Sequence, residues 1–126
     1  MPKFGKRSKA NLATCHPKLQ ELFNEVIKTV DCSVTEGHRS KERQEQMYEQ
    51  GKSKAKFPQS RHNSSPSEAA DVTPYPVDYN DRERQTLFAG YVLGLAKKMG
   101  IDITWGGDWD NDFQVNDNKF DDFPHF

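Results

Sequence analysis

The sequence predicts an α+β fold in a single small domain that spans residues 1–126. A chain of 126 residues is close to the common size of one domain. Apolar residues recur at helical spacing in two long stretches, and short apolar segments between the helices have the length of strands. These elements do not alternate in a regular βαβ repeat. We therefore expect three main helices packed on a short, mostly antiparallel sheet.

The first two helices are predicted from apolar spacing and from residues that favour helix ends. Pro17 suits a first helical turn. The apolar stripe that follows it consists of Leu19, Leu22, Phe23, Val26, Ile27 and Val30. Ser40 is a suitable N-cap for a second helix that runs to about Gln50. Gly51 then stands where a left-handed residue commonly ends a helix.

The third helix is predicted to begin at Asn80 or Asp81 and to end before Gly100. Its expected buried stripe is Leu87, Phe88, Tyr91, Val92, Leu95, Ala96 and Met99. Strands are predicted at Ser33–Glu36, Ala69–Thr73, Ile101–Trp105 and near Phe123. Residues 1–13 show no clear periodicity and are expected to form an extended arm.

Composition excludes several classes of protein. Lys and Arg number 18 against 19 Asp and Glu, a net charge of −1, which argues against a nonspecific nucleic-acid binder. No apolar run is long enough to span a membrane, and no signal-peptide core follows Met1, so we expect synthesis and folding in the cytoplasm. In that reducing compartment Cys15 and Cys32 should be unpaired, buried thiols. A monomer is the expected state.

The residues that indicate chemistry are His62, Asp71 and His125. Two imidazoles and one carboxylate can bind zinc and leave a fourth position open for water. Asp122 precedes the last histidine by three residues, close enough to act as a general base toward that water. Each histidine alone is more often a structural residue, and a His–Asp pair at this spacing is by itself a weak signal.

The segment 52–67 is the expected active-site loop. Pro, Ser, Asn and Lys dominate it, and it contains His62. Loops of this length in compact domains are usually functional or disordered.

A second acidic group, Asp108, Asp110 and Asp112, alternates like the start of a calcium loop. Phe113 stands where such a loop needs glycine, and Lys119 stands where it needs a bidentate glutamate. An acidic surface loop is the preferred interpretation, and a regulatory cation site is left open.

Three ordered blocks resemble the zinc D-Ala-D-Ala metallopeptidase family and, within it, the phage endolysins that cut the L-alanyl-D-glutamate bond of peptidoglycan. The blocks are Thr35-Glu36-Gly37-His38-Arg39-Ser40 with Arg43-Gln44, then Ser60-Arg61-His62 with Ala69-Ala70-Asp71-Val72, and finally Asp122-Phe123-Pro124-His125-Phe126. Trp105-Gly106-Gly107-Asp108-Trp109 is also similar to a segment common in that family. The similarity extends over nearly the whole chain.

The resemblance implies a Hedgehog-like, D-Ala-D-Ala-peptidase-like fold and a Zn²⁺ cofactor bound by His62, Asp71 and His125. It makes Asp122 the general base and Arg39 the residue that stabilises the oxyanion, while Ser60 is a candidate for substrate binding. The implied substrate is a peptidoglycan stem peptide, and a holin would supply access from the host cytoplasm to the cell wall. For Arg39 a purely structural salt bridge is the alternative.

Two features depart from the family pattern. Many members have a shorter His-to-Asp spacing with a glycine inside it, whereas here the loop between His62 and Asp71 is two residues longer, which leaves substrate preference open. The last ligand, His125, lies in a terminal segment that would fray unless it is held. The bond cleaved is therefore not fixed by the sequence. A D,D-carboxypeptidase or dipeptidase, and a zinc-stabilised wall-binding module without activity, are the alternatives.

Overall fold

A computed structural model describes residues 2–115 and 122–126 and confirms the α+β class. The elements are α1 (Lys6–Ala13), α2 (Pro17–Val26), β1 (Cys32–Glu36), α3 (Lys41–Glu49), a 3-10 helix (Arg61–Asn63), β2 (Asp71–Pro74) and α4 (Arg82–Met99). The three predicted helices correspond to α2, α3 and α4. The two strands correspond to the predicted segments around Val34 and Val72.

The sheet is a two-stranded antiparallel pair in which Val34 of β1 faces Val72 of β2. The segment 122–126 runs along the other edge of β2. The backbone N–H of Val72 donates to the Pro124 carbonyl at 2.8 Å, and Ala70 and Phe126 exchange two hydrogen bonds of 2.9 Å. This segment is the predicted last strand, and it pairs through an isolated bridge between Asp71 and His125.

Helix ends follow the predicted capping residues. The side chains of Ser40 and Asp81 accept hydrogen bonds from backbone N–H groups in the first turns of α3 and α4. Gly51 and Gly100 both have φ of +73°, the left-handed conformation that glycine adopts without a steric penalty. Local sequence thus sets where these two helices begin and end.

The buried face of α4 differs in part from the predicted stripe. Leu87 is 77% exposed and Tyr91 is also exposed, so their predicted burial is wrong. The residues of α4 that are buried are Gln85, Phe88, Ala89, Val92 and Ala96. The apolar stripe of α4 is wide enough that either of two helix faces could be buried. Contact with α2 and β2 buries the face centred on Phe88 and Val92.

The prediction of an extended arm over residues 1–13 is wrong, because residues 6–13 form α1. This helix packs on β1 through polar contacts: the Asn11 side-chain amide donates to the Val34 carbonyl at 2.8 Å, and the Ser8 hydroxyl accepts from the Val34 N–H at 3.0 Å. Leu12 adds one buried apolar side chain. A helix held mainly by Ser and Asn has little apolar periodicity, so the sequence pattern did not reveal it.

The predicted strand Ile101–Trp105 is also wrong. Ile101 and Trp105 are buried as a strand pattern would require, but the segment pairs with no strand in the described part of the chain. Trp105 is instead fixed by its indole N–H, which donates to the Phe123 carbonyl at 2.6 Å. Cys15 and Cys32 are unpaired and buried as expected, and burial raises the pKa of these thiols to about 11 and about 12. Among the described helices, none has the length and apolar character needed to cross a bilayer.

Candidate metal centre

Three separate elements bring the predicted ligands together. His62 lies in the 3-10 helix, Asp71 opens β2, and His125 lies in the segment beside it. Their ligand atoms are all within 4.8 Å of one another. The Nε2 atom of His62 is 3.2 Å from Oδ1 of Asp71, and Nδ1 of His125 is 3.7 Å from the same oxygen.

His62 is held by the backbone around it. Its Nδ1 lies 2.8 Å from the Gly37 carbonyl, which only accepts, so Nδ1 carries the proton and Nε2 presents its lone pair to the site. The His62 carbonyl accepts the Arg39 N–H at 2.7 Å, and the Ser60 hydroxyl accepts the His62 N–H at 3.2 Å. Burial lowers the pKa of the imidazole, but the hydrogen bond and charge of Asp71 outweigh this effect and raise the pKa.

Asp71 is the most strongly paired carboxylate of the site. Arg39 NH2 is 3.5 Å from its Oδ2 and 2.8 Å from Oε2 of Glu36. Burial raises the pKa of Asp71, but the hydrogen bond and charge of His62, with the charge of Arg39, hold it below its usual value. A buried carboxylate is otherwise costly, so this pairing keeps Asp71 ionised as a ligand must be.

His125 is positioned by ring packing and by its main chain. Its ring lies at a centroid distance of 5.2 Å from His62 and 5.1 Å from Trp109. The Gly106 N–H donates to its carbonyl at 2.9 Å. Burial lowers the pKa of this imidazole to about 4, so the ring is neutral near pH 7, the form in which histidine binds metal. The terminal segment predicted to fray is therefore held on two sides.

Asp122 lies beside the ligands without joining them. Its Oδ2 is 4.0 Å from Nδ1 of His125, and its side chain is 34% exposed. Burial and the negative charge of Asp71 raise its pKa to about 7, where a carboxylate can both accept and donate a proton. Gly106 fixes this position: its carbonyl accepts the Asp122 N–H at 2.8 Å, and a Cβ on Gly106 would overlap the Asp122 carbonyl.

Sequence reasoning missed the residues that hold this arrangement in place. Gln44 is fully buried, accepts from Arg39 at 3.0 Å and donates to the Ala55 carbonyl. Gly37 supplies the carbonyl for His62 and packs so closely on α1 that a Cβ would overlap the Asn11 carbonyl. The sequence block Thr35–Ser40 with Arg43-Gln44 contains both residues, but no pattern in it indicates that Gly37 positions His62 or that Gln44 positions Arg39.

The other predicted residues have structural contacts. Ser60 caps the 3-10 helix and also lines the cavity at the metal group. The two remaining histidines of the chain are outside the ligand group found among the described residues: the His16 ring accepts the Lys18 N–H at the start of α2, and the His38 ring bonds the Ser64 carbonyl. The segment 52–67, predicted to be the active-site loop, is regular only at Arg61–Asn63, and Ser67 at its end bonds the turn before α2.

The carboxylates of Asp108, Asp110 and Asp112 also lie within 4.8 Å of one another. Asp108 is buried, and its carboxylate accepts the backbone N–H groups of Asp112 at 3.1 Å and Phe113 at 3.0 Å. These two hydrogen bonds close the loop and so explain why the Asp108 carboxylate is buried. Lys119, which entered the prediction for this loop, lies outside the described residues.

The donor set fits a divalent metal. Donors that share one tetrahedral zinc at about 2.0–2.2 Å are separated by roughly 3.3 Å, and the two histidine nitrogens here lie 3.2 and 3.7 Å from Oδ1 of Asp71. The three donors open into a cavity of about 590 Å³ that also contains Asp122 and Arg39. An α+β domain with two imidazoles, one carboxylate and a nearby unliganded carboxylate defines the class of candidate metallohydrolases.

Within that class, the chain belongs to the phage L-alanyl-D-glutamate peptidase family, which it matches over residues 1–126. It is 30% identical over 112 residues to an L-alanyl-D-glutamate peptidase of Escherichia phage T5, covering 85% of this chain and 81% of that relative. Among solved structures, the L-Ala D-Glu endopeptidase ChiX of Serratia marcescens matches with a TM-score of 0.76 and 31% identity, covering 98% of this chain and 88% of the other. The resemblance drawn from the three sequence blocks is confirmed, and the chain is a peptidase.

Proposed function

We propose that this protein is a zinc-dependent endopeptidase that hydrolyses the L-alanyl-D-glutamate bond of peptidoglycan stem peptides and acts as a phage-type endolysin. The observation that carries the proposal is the meeting of His62, Asp71 and His125 around one point, with Asp122 beside them and outside the ligand set. Membership of the family supports the choice of bond.

In this proposal Nε2 of His62, Oδ1 of Asp71 and Nδ1 of His125 would hold the zinc ion. When bound, zinc lowers the pKa of water and polarises a carbonyl group. Asp122 accepts a proton from the attacking water and passes it to the leaving amine of D-glutamate. Its partial exposure and raised pKa suit both transfers.

Arg39 and Ser60 have supporting roles in the proposal. Arg39 is 4% exposed, and its paired contacts keep its positive charge within 3.5 Å of Asp71. A fixed cation at this distance stabilises the oxyanion that develops on the scissile carbonyl, an effect typically worth about 10²–10³ in rate. Ser60 is offered as a substrate contact on the cavity wall.

The direct test is digestion of purified Gram-negative peptidoglycan by the zinc-loaded protein, with fragments identified by mass spectrometry and a chelator-treated control. Free stem peptides that begin at D-glutamate are expected. Release of D-alanine alone would instead place the protein with the D,D-carboxypeptidases. Zinc binding without release of any fragment would support the inactive wall-binding module.

The role of Asp122 has its own test. Asp122→Asn should retain one zinc per chain but lose about 10²–10⁴-fold in kcat, because the proton acceptor is removed while the ligands stay. Asp31→Asn, which removes an exposed carboxylate that lines none of the cavities around the metal group, is the matched control. Turnover of Asp122→Asn close to that of the control would exclude Asp122 as the base.

Access to the wall belongs to the same proposal. The monomeric enzyme accumulates in the host cytoplasm and reaches peptidoglycan through a lesion made by a holin. Expression with and without a holin, followed by culture turbidity, tests this step: lysis that proceeds equally without the holin would contradict it.

A further inference from the structure

Two larger cavities adjoin the one that holds the metal group, and they differ in charge. The central cavity shares Lys52 and Asp122 with a cavity of about 1050 Å³, called here the cationic cavity. On its other side it shares Trp109 and His125 with a cavity of about 1000 Å³, called the aromatic cavity. The three therefore form one cleft with the metal group at its middle.

The cationic cavity is lined by four cations, Arg7, Arg43, Lys52 and Arg82, and by three carboxylates, Glu36, Asp71 and Asp122. Arg43 is balanced by Glu36 at 3.5 Å, and Arg82 stacks on the Phe123 ring at 4.2 Å. Arg7 and Lys52 are exposed and form no ion pair within residues 2–115 and 122–126. This end of the cleft thus carries positive charge that the described part of the protein does not neutralise.

Both unpaired cations stand on well-anchored backbone. The N–H groups of Lys52 and Ser53 donate to the Met47 carbonyl at 2.9 and 3.1 Å, where α3 ends. The buried Gln44 side chain also donates to Ser53 and so holds the next residue. Arg7 precedes Ser8, whose hydroxyl is bonded to β1. Anchored backbone limits where each flexible side chain can reach.

The aromatic cavity has the opposite character. Its wall includes Trp109 and the 89% exposed ring of Phe113, with Leu93 and Ile103 below them. Its charged lining residues are two cations, Arg61 and Lys97, and three carboxylates, Glu68, Asp102 and Asp108, and Arg61 is paired with Glu68 at 3.2 Å. The carboxylates outnumber the cations at this end of the cleft. An uncharged, partly apolar segment of a ligand is suited to such a surface.

The substrate of the proposed function is asymmetric in the same way. A stem peptide continues through the side-chain carboxyl of D-glutamate, so its α-carboxylate stays ionised next to the scissile amide. The following diamino acid brings a further carboxyl group in many walls. On the other side of the amide lie alanine and the lactyl-linked sugar, which are uncharged.

We propose that the cleft sets the direction of the substrate: the D-glutamate α-carboxylate and the residue after it bind in the cationic cavity near Lys52 and Arg7, and the alanyl and sugar portion lies along Trp109 and Phe113. This inference rests on the proposed function and specifies its substrate recognition. Asp122, which lines the cationic cavity, then stands on the side of the leaving amine to which it donates a proton.

The test compares two synthetic N-acetylated peptides, L-alanyl-γ-D-glutamyl-L-lysine and its D-isoglutamine counterpart, in which the α-carboxylate is an uncharged carboxamide. The zinc-loaded full chain is assayed as wild type, Lys52→Gln, Arg7→Gln, the double variant and Lys98→Gln. Lys98 is exposed and lines none of the three cavities, so it is the matched control for loss of one exposed cation. Thermal melting checks that each variant is folded.

For the carboxylate peptide, we expect KM to rise about three- to fivefold in each single variant and about tenfold in the double variant, with kcat little changed. For the carboxamide peptide, and for Lys98→Gln with either peptide, KM should stay within twofold of wild type. Equal effects on both peptides, no effect on either, or a larger effect of Lys98→Gln would overturn the inference. If wild type cleaves neither peptide, the proposed function itself has failed.

Discussion

The two histidines of the metal group are placed by different kinds of interaction. His62 is held by hydrogen bonds from its ring and its main chain, to Gly37, Arg39 and Ser60. His125 has a main-chain anchor at Gly106, and its ring is oriented by packing against His62 and Trp109. The His62 side is held by hydrogen bonds to Ser60 beside it and to the backbone that follows β1, whereas the His125 side depends on the segment that adds to β2.

This difference separates two requirements of a metal site. Hydrogen bonds to a ligating imidazole fix its tautomer and direction, so the contacts around His62 determine where its Nε2 points. Ring packing restricts position with less control of rotation, so the metal itself contributes more to the final orientation of His125. Mutations around His62 should therefore lower both the stability of the metal-free protein and its metal affinity, whereas mutations around His125 should mainly lower metal affinity.

The largest contrast is expected from the ligands themselves. His62→Ala and His125→Ala should each weaken zinc binding by more than about 100-fold, because one of three donors is lost. In the metal-free protein, His62→Ala should cost about 2–4 kcal/mol in free energy of unfolding, since it leaves the buried Gly37 carbonyl without its donor and opens a cavity. His125→Ala should cost about 1 kcal/mol.

Zinc titration and denaturant unfolding of the chelated proteins measure both quantities. His38→Ala, at an exposed histidine, should leave stability within about 0.5 kcal/mol of wild type. Equal losses of metal-free stability in the two ligand variants would remove the distinction between the two sides.

Gly37→Ala is the next largest change, because it acts on the His62 side without touching a ligand. The new Cβ would overlap the Asn11 carbonyl and the Thr14 hydroxyl, so α1 or β1 must shift. Overpacking of this kind lowers the free energy of unfolding by about 1–3 kcal/mol. Displacement of the Gly37 carbonyl, which orients the His62 ring, should also weaken zinc binding about 10-fold.

Gly94→Ala is the matched control, since a Cβ there meets open space within α4. It should raise stability by about 0.5–1 kcal/mol through helix propensity. Thermal melting with and without zinc compares the pair. A Gly37→Ala protein as stable as Gly94→Ala would mean that α1 does not press on β1 as described.

Trp109→Ala should give the smallest of these effects, on the His125 side. Loss of the ring frees the imidazole to rotate, so zinc affinity should fall about three- to tenfold while metal-free stability changes by less than about 1 kcal/mol, because Trp109 is partly exposed. Trp109→Phe should retain most of the affinity. Competition with a chromogenic chelator measures it, and identical affinity in wild type and Trp109→Ala would show that the ring does not orient His125.

The sequence was sufficient for features encoded locally. Capping residues such as Ser40 and Gly51 act within one turn of the backbone, so the limits of α3 could be predicted from its own residues. The candidate ligands His62, Asp71 and His125 could be selected because metal binding favours these residue types and the family blocks give their order, and the structure brings their ligand atoms within 4.8 Å of one another.

Features that depend on distant contacts could not be predicted in the same way. The helix α1 forms because Ser8 and Asn11 find partners on β1, and their polar side chains leave no apolar period to read. Ile101 and Trp105 show strand-like alternation, yet a strand requires a neighbour that the segment lacks among the described residues. The roles of Gly37 and Gln44 likewise exist only once remote segments have met.

The placement of His125 in the segment that pairs with β2 has a consequence for protein synthesis. A ribosome delivers His62 and Asp71 together, whereas Asp122 and His125 follow only after α4 has been made. An unfinished nascent chain therefore holds two of the proposed metal donors but neither the third nor the proposed proton acceptor. Translation itself delays the appearance of a competent hydrolase until the residues through His125 have emerged and docked.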